Sequence, residues 1–224
     1  MTDLRRSKGE ATRERILTEA LTLFAEKGYA QTTMREIAAK AECSLGLAYR
    51  YFKSKDTMVL ALYERMVTQF AEEASELPSG PLAQRWGRAI RNEFVRLEPN
   101  RGALLGLTSV GMTPGRITQV LGQEADPMRR RMLTIFHEIV AGSRDAPRPE
   151  VAEAFSTLFY ALYLVLVLFW LQDASPGQRV THQLIAFGEE MLGRLRLVLR
   201  LPWATEGLVK LGGLLGPVLK GERA

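Results

Sequence analysis

A chain of 224 residues, 46% hydrophobic and 25% charged, carries enough apolar material for a real core and too much for a disordered segment. Its formal charge of +5 leans only slightly toward polyanions as partners. The single cysteine excludes an internal disulfide and suits a reducing compartment.

The N-terminus, MTDLRRSKGEATRER, has no apolar run of the kind a signal peptide carries, so a cytoplasmic protein is expected. Met1 to Lys8 reads as a flexible basic arm, able to reach DNA phosphates or the minor groove. From Ala11 to Lys27, Ile16, Leu17, Ala20, Leu21 and Phe24 recur at helical spacing, and Gly28 is the expected stop. Thr33 followed by Glu36 is a capping-box pattern, opening a short helix that buries Ile37, Ala38 and Ala41. Glu42-Cys43 makes a tight connection. Ser44 is then the N-cap candidate of a helix from Leu45 to Phe52. Two short helices joined by such a turn form a helix-turn-helix, whose second helix can enter the major groove of DNA. Tyr49, Tyr51, Lys53 and Lys55 suit phosphate contacts; Thr33, Arg35, Ser44, Leu45, Gly46 and Arg50 suit reading or positioning in the groove. Gly46 leaves room for the DNA backbone to approach.

These residues carry a resemblance. Thr33-x-x-Glu36-Ile37-Ala38-x-x-Ala41, then Ser44-x-Gly46-x-x-Tyr49-x-Tyr51-Phe52-x-x-Lys55, resembles the DNA-binding domain of the tetracycline-repressor (TetR) family. The likeness extends back through Arg15-Ile16-Leu17, Ala20, Phe24 and Gly28-Tyr29. One departure is Glu42-Cys43, where the family often has Gly-Val; Glu42 would then take a positive φ at a cost of roughly 1 kcal/mol. The resemblance implies a homodimeric, all-helical transcriptional regulator whose C-terminal domain binds a ligand that releases it from DNA.

Beyond Ser54 a further helix should run to about Leu77, ahead of Pro78, with Met58, Ala61, Leu62, Met66, Phe70 and Ala74 on its buried stripe. It leads from the DNA-binding part into the rest of the chain, a natural mechanical link. Leu82, Trp86, Ala89, Ile90, Phe94 and Leu97 then trace one face of another helix. Gly102, Gly106, Gly111, Gly115 and Gly122 interrupt the next apolar stretch without forming a phosphate-binding pattern. They read as short broken helices leaving space near a pocket, with close helix packing as the alternative. Asp126-Pro127 should open a helix through Val140, carrying the run Arg129, Arg130, Arg131 on a solvated face, with a ligand-anion site as the alternative.

Two long helices are expected at about Glu150 to Gln172 and Pro176 to Leu201. The first is apolar nearly all round, and its core stretch from Leu158 to Leu171 is short of the roughly 20 residues a membrane span needs. An intersubunit four-helix bundle covers both economically, placing Leu166, Trp170, Leu184, Phe187, Met191 and Leu195 at a dimer interface. After Pro202 a weakly amphipathic tail follows.

The fold expected is therefore all-α: a three-helix helix-turn-helix domain over residues 1–55, then a helical ligand-binding and dimerisation domain over 56–224, about nine or ten helices. Trp86, Ile90, Phe94, Leu104, Leu107, Met112, Met132, Phe136, Phe159 and Tyr163 form a candidate pocket lining for an apolar or amphipathic effector, with ordinary core packing as the alternative. His137 and His182 lack metal-ligand spacing, and Cys43 stands alone as a filler or redox sensor. No nucleophile–base or carboxylate constellation emerges, so no enzyme, metal or cofactor is expected. The function expected is a repressor binding a palindromic operator as a homodimer, released by the effector. The alternative is a DNA-binding regulator controlled by a protein partner or by its own abundance.

Overall fold

The structure is a computed structural model that describes the chain apart from Met1, residues 112–125, 199–200 and 221–224; side chains at 2–7, 107–111, 196–198 and Pro202 also fall outside the description. The described elements are helical. They are α1 Thr2–Lys27, α2 Met34–Lys40, α3 Leu45–Tyr51, α4 Lys55–Ser75, α5 Leu82–Leu97, α6 Arg101–Gly111, α7 Asp126–Ala141, α8 Pro149–Gln172, α9 Arg179–Val198 and α10 Pro202–Lys220, with 3₁₀ turns at Glu98–Asn100 and Pro176–Gln178. The chain falls into two compact units, Met1–Arg65 with Glu98–Val120, and Met66–Leu97 with Leu121–Ala224.

The first unit is a small helical cluster around Ile16, Leu17, Ala20, Phe24, Ile37, Ala38, Ala41, Ala48 and Phe52, all buried. Its first helix begins at Thr2, so the expected flexible arm is helical almost from the start. Nothing between Thr2 and Lys8 breaks a helix, and Leu, Lys and Arg favour one. α1 packs against α6, and the glycines of α6 explain how closely. A Cβ on Gly106 would stand 2.3 Å from the Phe24 carbonyl oxygen, and one on Gly102 would stand 2.9 Å from Ala25 Cβ. At these two positions the glycines permit close helix packing within one continuous helix, rather than breaking it to leave space. Gly111 closes α6; the expected breaks at Gly115 and Gly122 lie outside the described residues.

In the second unit α8 packs against α7 and α10, while α5 packs against α7 and α9. The centre is aromatic: Phe70, Phe136 and Tyr163 contact one another with ring centroids 5.8–6.0 Å apart, and Phe94 meets Trp170 edge-on at 5.5 Å. α10 turns the tail after Pro202 into a packed helix, with Gly212 tight against Ala154. α8 is long and apolar enough to cross a membrane by length and composition, longer than its most apolar stretch suggests. Within its most apolar 18-residue window 56% of the positions are buried, as in the core helix of a folded domain.

A polar cluster runs from this apolar centre toward the surface. The Glu93 carboxylate, 1% exposed, accepts from Tyr163 Oη at 3.0 Å and from the Arg96 guanidinium. Arg96 also donates to the Met66 carbonyl at 3.1 Å and to Gln69 at 2.9 Å. Burial pushes the Glu93 carboxyl up to about 7 against the opposing pull of Arg96 and Tyr163.

Candidate nucleic-acid interface

The helix-turn-helix is assembled from local signals that satisfy one another. The Glu36 N–H donates to Thr33 Oγ1 at 3.3 Å, while the Thr33 N–H donates to Glu36 Oε2 at 2.8 Å, a closed capping box. The Lys27 ammonium pairs with the same carboxylate. Lys27 and Thr33 together hold the Glu36 carboxyl down to about 2. At the turn, Glu42 takes φ +50°, and its N–H and that of Cys43 donate to Ala39 and Ala38 carbonyls at 3.1 and 3.0 Å. Ser44 Oγ then accepts from the Leu47 N–H at 3.1 Å, which starts α3.

This frame buries Ala48 and Phe52 and turns the other face of α3 outward. Ser44, Gly46, Tyr49 and Arg50 are exposed and Leu45 is half-buried; Thr33 and Arg35, at the start of α2, are exposed as well. All six residues expected to read or position thus lie open, or half open, five of them around the starts of α2 and α3 and Arg50 in the last turn of α3. Of the four expected phosphate contacts, Tyr49 and Lys53 are exposed and Tyr51 is half-buried.

Lys55 differs. Its ammonium donates to the carbonyls of Tyr29 and Thr32 at 2.6 and 2.7 Å and sits 4.4 Å from the centroid of the Tyr29 ring. It ties the start of α4 to the loop after α1, so much of its hydrogen-bonding capacity is spent within the protein. Tyr29 in turn donates to Asp56. Ser54 and Thr57 cap α4 reciprocally, each N–H donating to the other's hydroxyl at 3.3 Å. Between these elements lies a cleft of about 400 Å³ lined by Tyr29, Met34, Tyr49, Lys53 and Lys55 among others. Tyr29 and Asp56 were not among the expected site residues. The only sequence signal for them is Gly28-Tyr29 at the end of one helix and an acid in the first turn of another.

The expected second site is brought together only in part. Trp86, Ile90, Phe94, Met132, Phe136, Phe159 and Tyr163 are all buried in the second unit, and their rings are spent largely on one another. Leu104 belongs to the other compact unit; the Leu107 side chain and Met112 lie outside the described residues. His137 and His182 are exposed, Cys43 is half-buried, and no metal-binding cluster occurs among the described residues.

The expected dimer contacts also need revision. Leu166 and Trp170 are 6% and 1% exposed within a single chain, so they belong to its own core. α8 is apolar all round, and sequence alone cannot say which stripe turns inward. The outward stripe is Leu162, Val165, Leu168 and Phe169, at 40–61% exposure. On α9, Leu184, Phe187 and Leu195 are exposed and Met191 half-buried.

Residues 16–62 match the family model described as bacterial regulatory proteins, tetR family, and residues 92–195 match that of the tetracyclin repressor-like C-terminal domain. The regulator YerO of Bacillus subtilis (strain 168) is 44% identical over 52 residues, which is 23% of this chain and 18% of that protein. The transcriptional repressor Rv3405c of Mycobacterium tuberculosis (strain ATCC 25618 / H37Rv) is 40% identical over 84 residues, 36% of this chain and 45% of that one. The likeness to these relatives thus spans less than half of their length. Among solved structures, a tetR-family regulator from Streptomyces coelicolor matches in fold with a TM-score of 0.61 at 21% identity, covering 92% of this chain and 90% of its own.

Proposed function

We infer that this chain, which belongs to the tetR family of DNA-binding transcriptional regulators, is a cytoplasmic repressor that binds an inverted-repeat operator as a homodimer and leaves it when an apolar or amphipathic small molecule binds. The observation that carries the DNA half is the open face of α3, with Ser44, Leu45 and Gly46 at its leading end and Arg50 in its last turn, held on a buried scaffold. Tyr49 and Lys53, at the rim of the neighbouring cleft, supply phosphate contacts that fix register without reading sequence. Repression is the activity named for the Mycobacterium tuberculosis relative and is carried here as part of the reading.

A second copy of the chain is the economical cover for the outward apolar residues of α8 and α9. One helix-turn-helix per subunit then imposes a two-fold operator. For release, the effector must favour an arrangement whose two recognition helices no longer match half-sites about one DNA turn apart. Two elements give it a route. α4 starts beside the cleft and contributes to both compact units. α6 packs on α1 through Gly106, yet lies within the stretch matched by the C-terminal family model.

The close ring packing in the second unit favours a second reading, regulation by a protein partner or by abundance. Fluorescence anisotropy on operator DNA, selected from a random pool with the purified protein, separates the two. Addition of a hydrophobic compound library should yield ligands that both raise the melting temperature and release the DNA. Stabilising hits that all leave DNA affinity unchanged would support the second reading.

A further inference from the structure

Arg85, Arg96 and Arg129 of the second unit have guanidinium atoms out of solvent, and they are not equivalent. Arg85 donates to the carbonyls of Leu77, Pro78 and Ile139 at 2.9–3.1 Å. Arg96 is engaged by Glu93, Gln69, the Met66 carbonyl and, at 3.3 Å from its Nε, Glu73. Arg129 is 2% exposed and pairs through Nη2 with Asp126, while its Nε and Nη1 have no hydrogen-bond partner among the described residues. Sequence placed Arg129 in a solvated basic run. Arg130 and Arg131 keep that place, but Arg129 has turned inward.

A buried donor without a partner is costly, and native interiors rarely leave one. The other unpartnered buried atoms sharpen the point. Arg96 Nε and Glu73 Oε2 belong to one ion pair. What remains is Trp86 Nε1 and the two Arg129 nitrogens, all of them donors. Among the described residues, then, the interior of this unit is short of acceptors. Asp126 already offsets the charge of Arg129, so what is missing is an acceptor more than an anion.

Geometry narrows the class further. A guanidinium offers two edges on which paired N–H groups point the same way, one formed by Nε with Nη2 and one by Nη1 with Nη2. Asp126 takes one proton of Nη2 and leaves the other edge whole, whichever proton it takes. The site lies at the first turn of α7, where the helix dipole also favours negative charge. Along the same inward face follow Met132, Ile135 and Phe136, all at most 1% exposed.

We propose that Arg129 is the polar anchor of the effector site, and that the effector is a slender apolar molecule ending in one or two acceptor oxygens, a carboxylate or a ketone-type carbonyl. This rests on the effector reading given above and names its ligand class. The guanidinium holds the oxygen end, and the apolar body enters by parting the close-packed side chains of the α7 inner face, which are at most 1% exposed without it.

The test uses three probes of one chain length on the full-length protein: octanoate, 2-octanone and octylamine, titrated by calorimetry and followed by thermal shift. Octanoate or 2-octanone should bind at least about tenfold tighter than octylamine, which carries donors where acceptors are needed. Comparing octanoate with 2-octanone shows whether a charged or a neutral acceptor is preferred. Arg129→Met should remove that preference, and Arg129→Lys, which keeps the charge but loses the two-donor edge, should weaken it. If Arg129→Met fails to fold, the wild-type probe series and Arg129→Lys still decide. Equal binding of all three probes, undiminished octanoate and 2-octanone binding by the variants, or no binding of either oxygen probe would overturn the assignment. Operator release, measured on the same samples, separates the two claims. Octanoate or 2-octanone bound through Arg129 without release sinks the effector reading alone, whereas release by octylamine as readily as by octanoate sinks only the anchor.

Discussion

Gly46→Ala sets protein stability against DNA affinity, with opposite signs expected if Gly46 faces the duplex as proposed. A Cβ built on Gly46 meets nothing within 4 Å, so the methyl has no clash to pay for inside the protein. Replacing glycine by alanine in a helix gains roughly 0.5–1 kcal/mol, and the first turn of α3 should give the low end of that range. In the proposed complex the balance should reverse, because the methyl would fill the space left for the duplex. Overpacking a close contact costs about 1–3 kcal/mol, which corresponds to an operator Kd raised by roughly 5- to 150-fold. No charge is removed, so the slope of log Kd against log salt should stay that of the wild type. Urea denaturation and fluorescence anisotropy at several salt concentrations measure both effects. Unchanged operator affinity, or a fall in stability, would refute the placement of Gly46 against DNA.

Other expectations follow from particular contacts. Gly106→Ala drives a methyl toward the Phe24 carbonyl, 2.3 Å away, and a backbone atom cannot swing aside; a loss of about 1–3 kcal/mol, less the roughly 1 kcal/mol of helix propensity regained, should appear in urea melts. Lys55→Ala removes donors to the Tyr29 and Thr32 carbonyls and should cost about 1–3 kcal/mol of stability along with DNA affinity. Lys53→Ala, at an exposed site, should leave the melt unchanged and make the salt slope shallower by about one unit. The Glu93 carboxyl, raised from 4.5 to about 7, holds in the folded state a proton that the unfolded chain gives up in that window. Its contribution to stability therefore falls as pH rises from 4.5 to 7, and Glu93→Gln should flatten that slope. Glu36, lowered from 4.5 to about 2, gives the opposite sign: its contribution is present above 4.5 and is lost as pH falls toward 2, and Glu36→Gln removes it.

What was legible in the sequence is what local chemistry decides. Thr33 with Glu36 and Ser44 with Leu47 cap their helices through partners three residues away, so spacing alone finds them. Glu42 takes its positive φ because the turn demands it whatever the side chain. The features that escaped depend on which neighbour a helix meets. Nothing local to α8 distinguishes Leu166 and Trp170, which face inward, from Val165 and Phe169, which face out. Arg129 turns inward from the same basic run that leaves Arg130 and Arg131 in solvent. Gly102 and Gly106 reveal close packing only once α1 is seen against α6. For the same reason the segment from Glu98 groups with the first unit, which a boundary drawn at residues 55 and 56 does not anticipate.

Two copies of this chain, joined through α8 and α9, are expected to read one two-fold operator. The most direct test is sedimentation of the protein with operator duplexes in which the two half-sites are moved apart by about 5 and then about 10 base pairs, half a turn and a full turn of the helix. Wild-type protein should bind the native spacing with two chains per duplex, bind far more weakly at half a turn, and recover part of its affinity at a full turn. Phe187→Glu, which places a charge on the outward face of α9, should sediment as a monomer and lose the dependence on spacing. One wild-type chain per duplex, or affinity indifferent to a half-turn shift, would contradict the account.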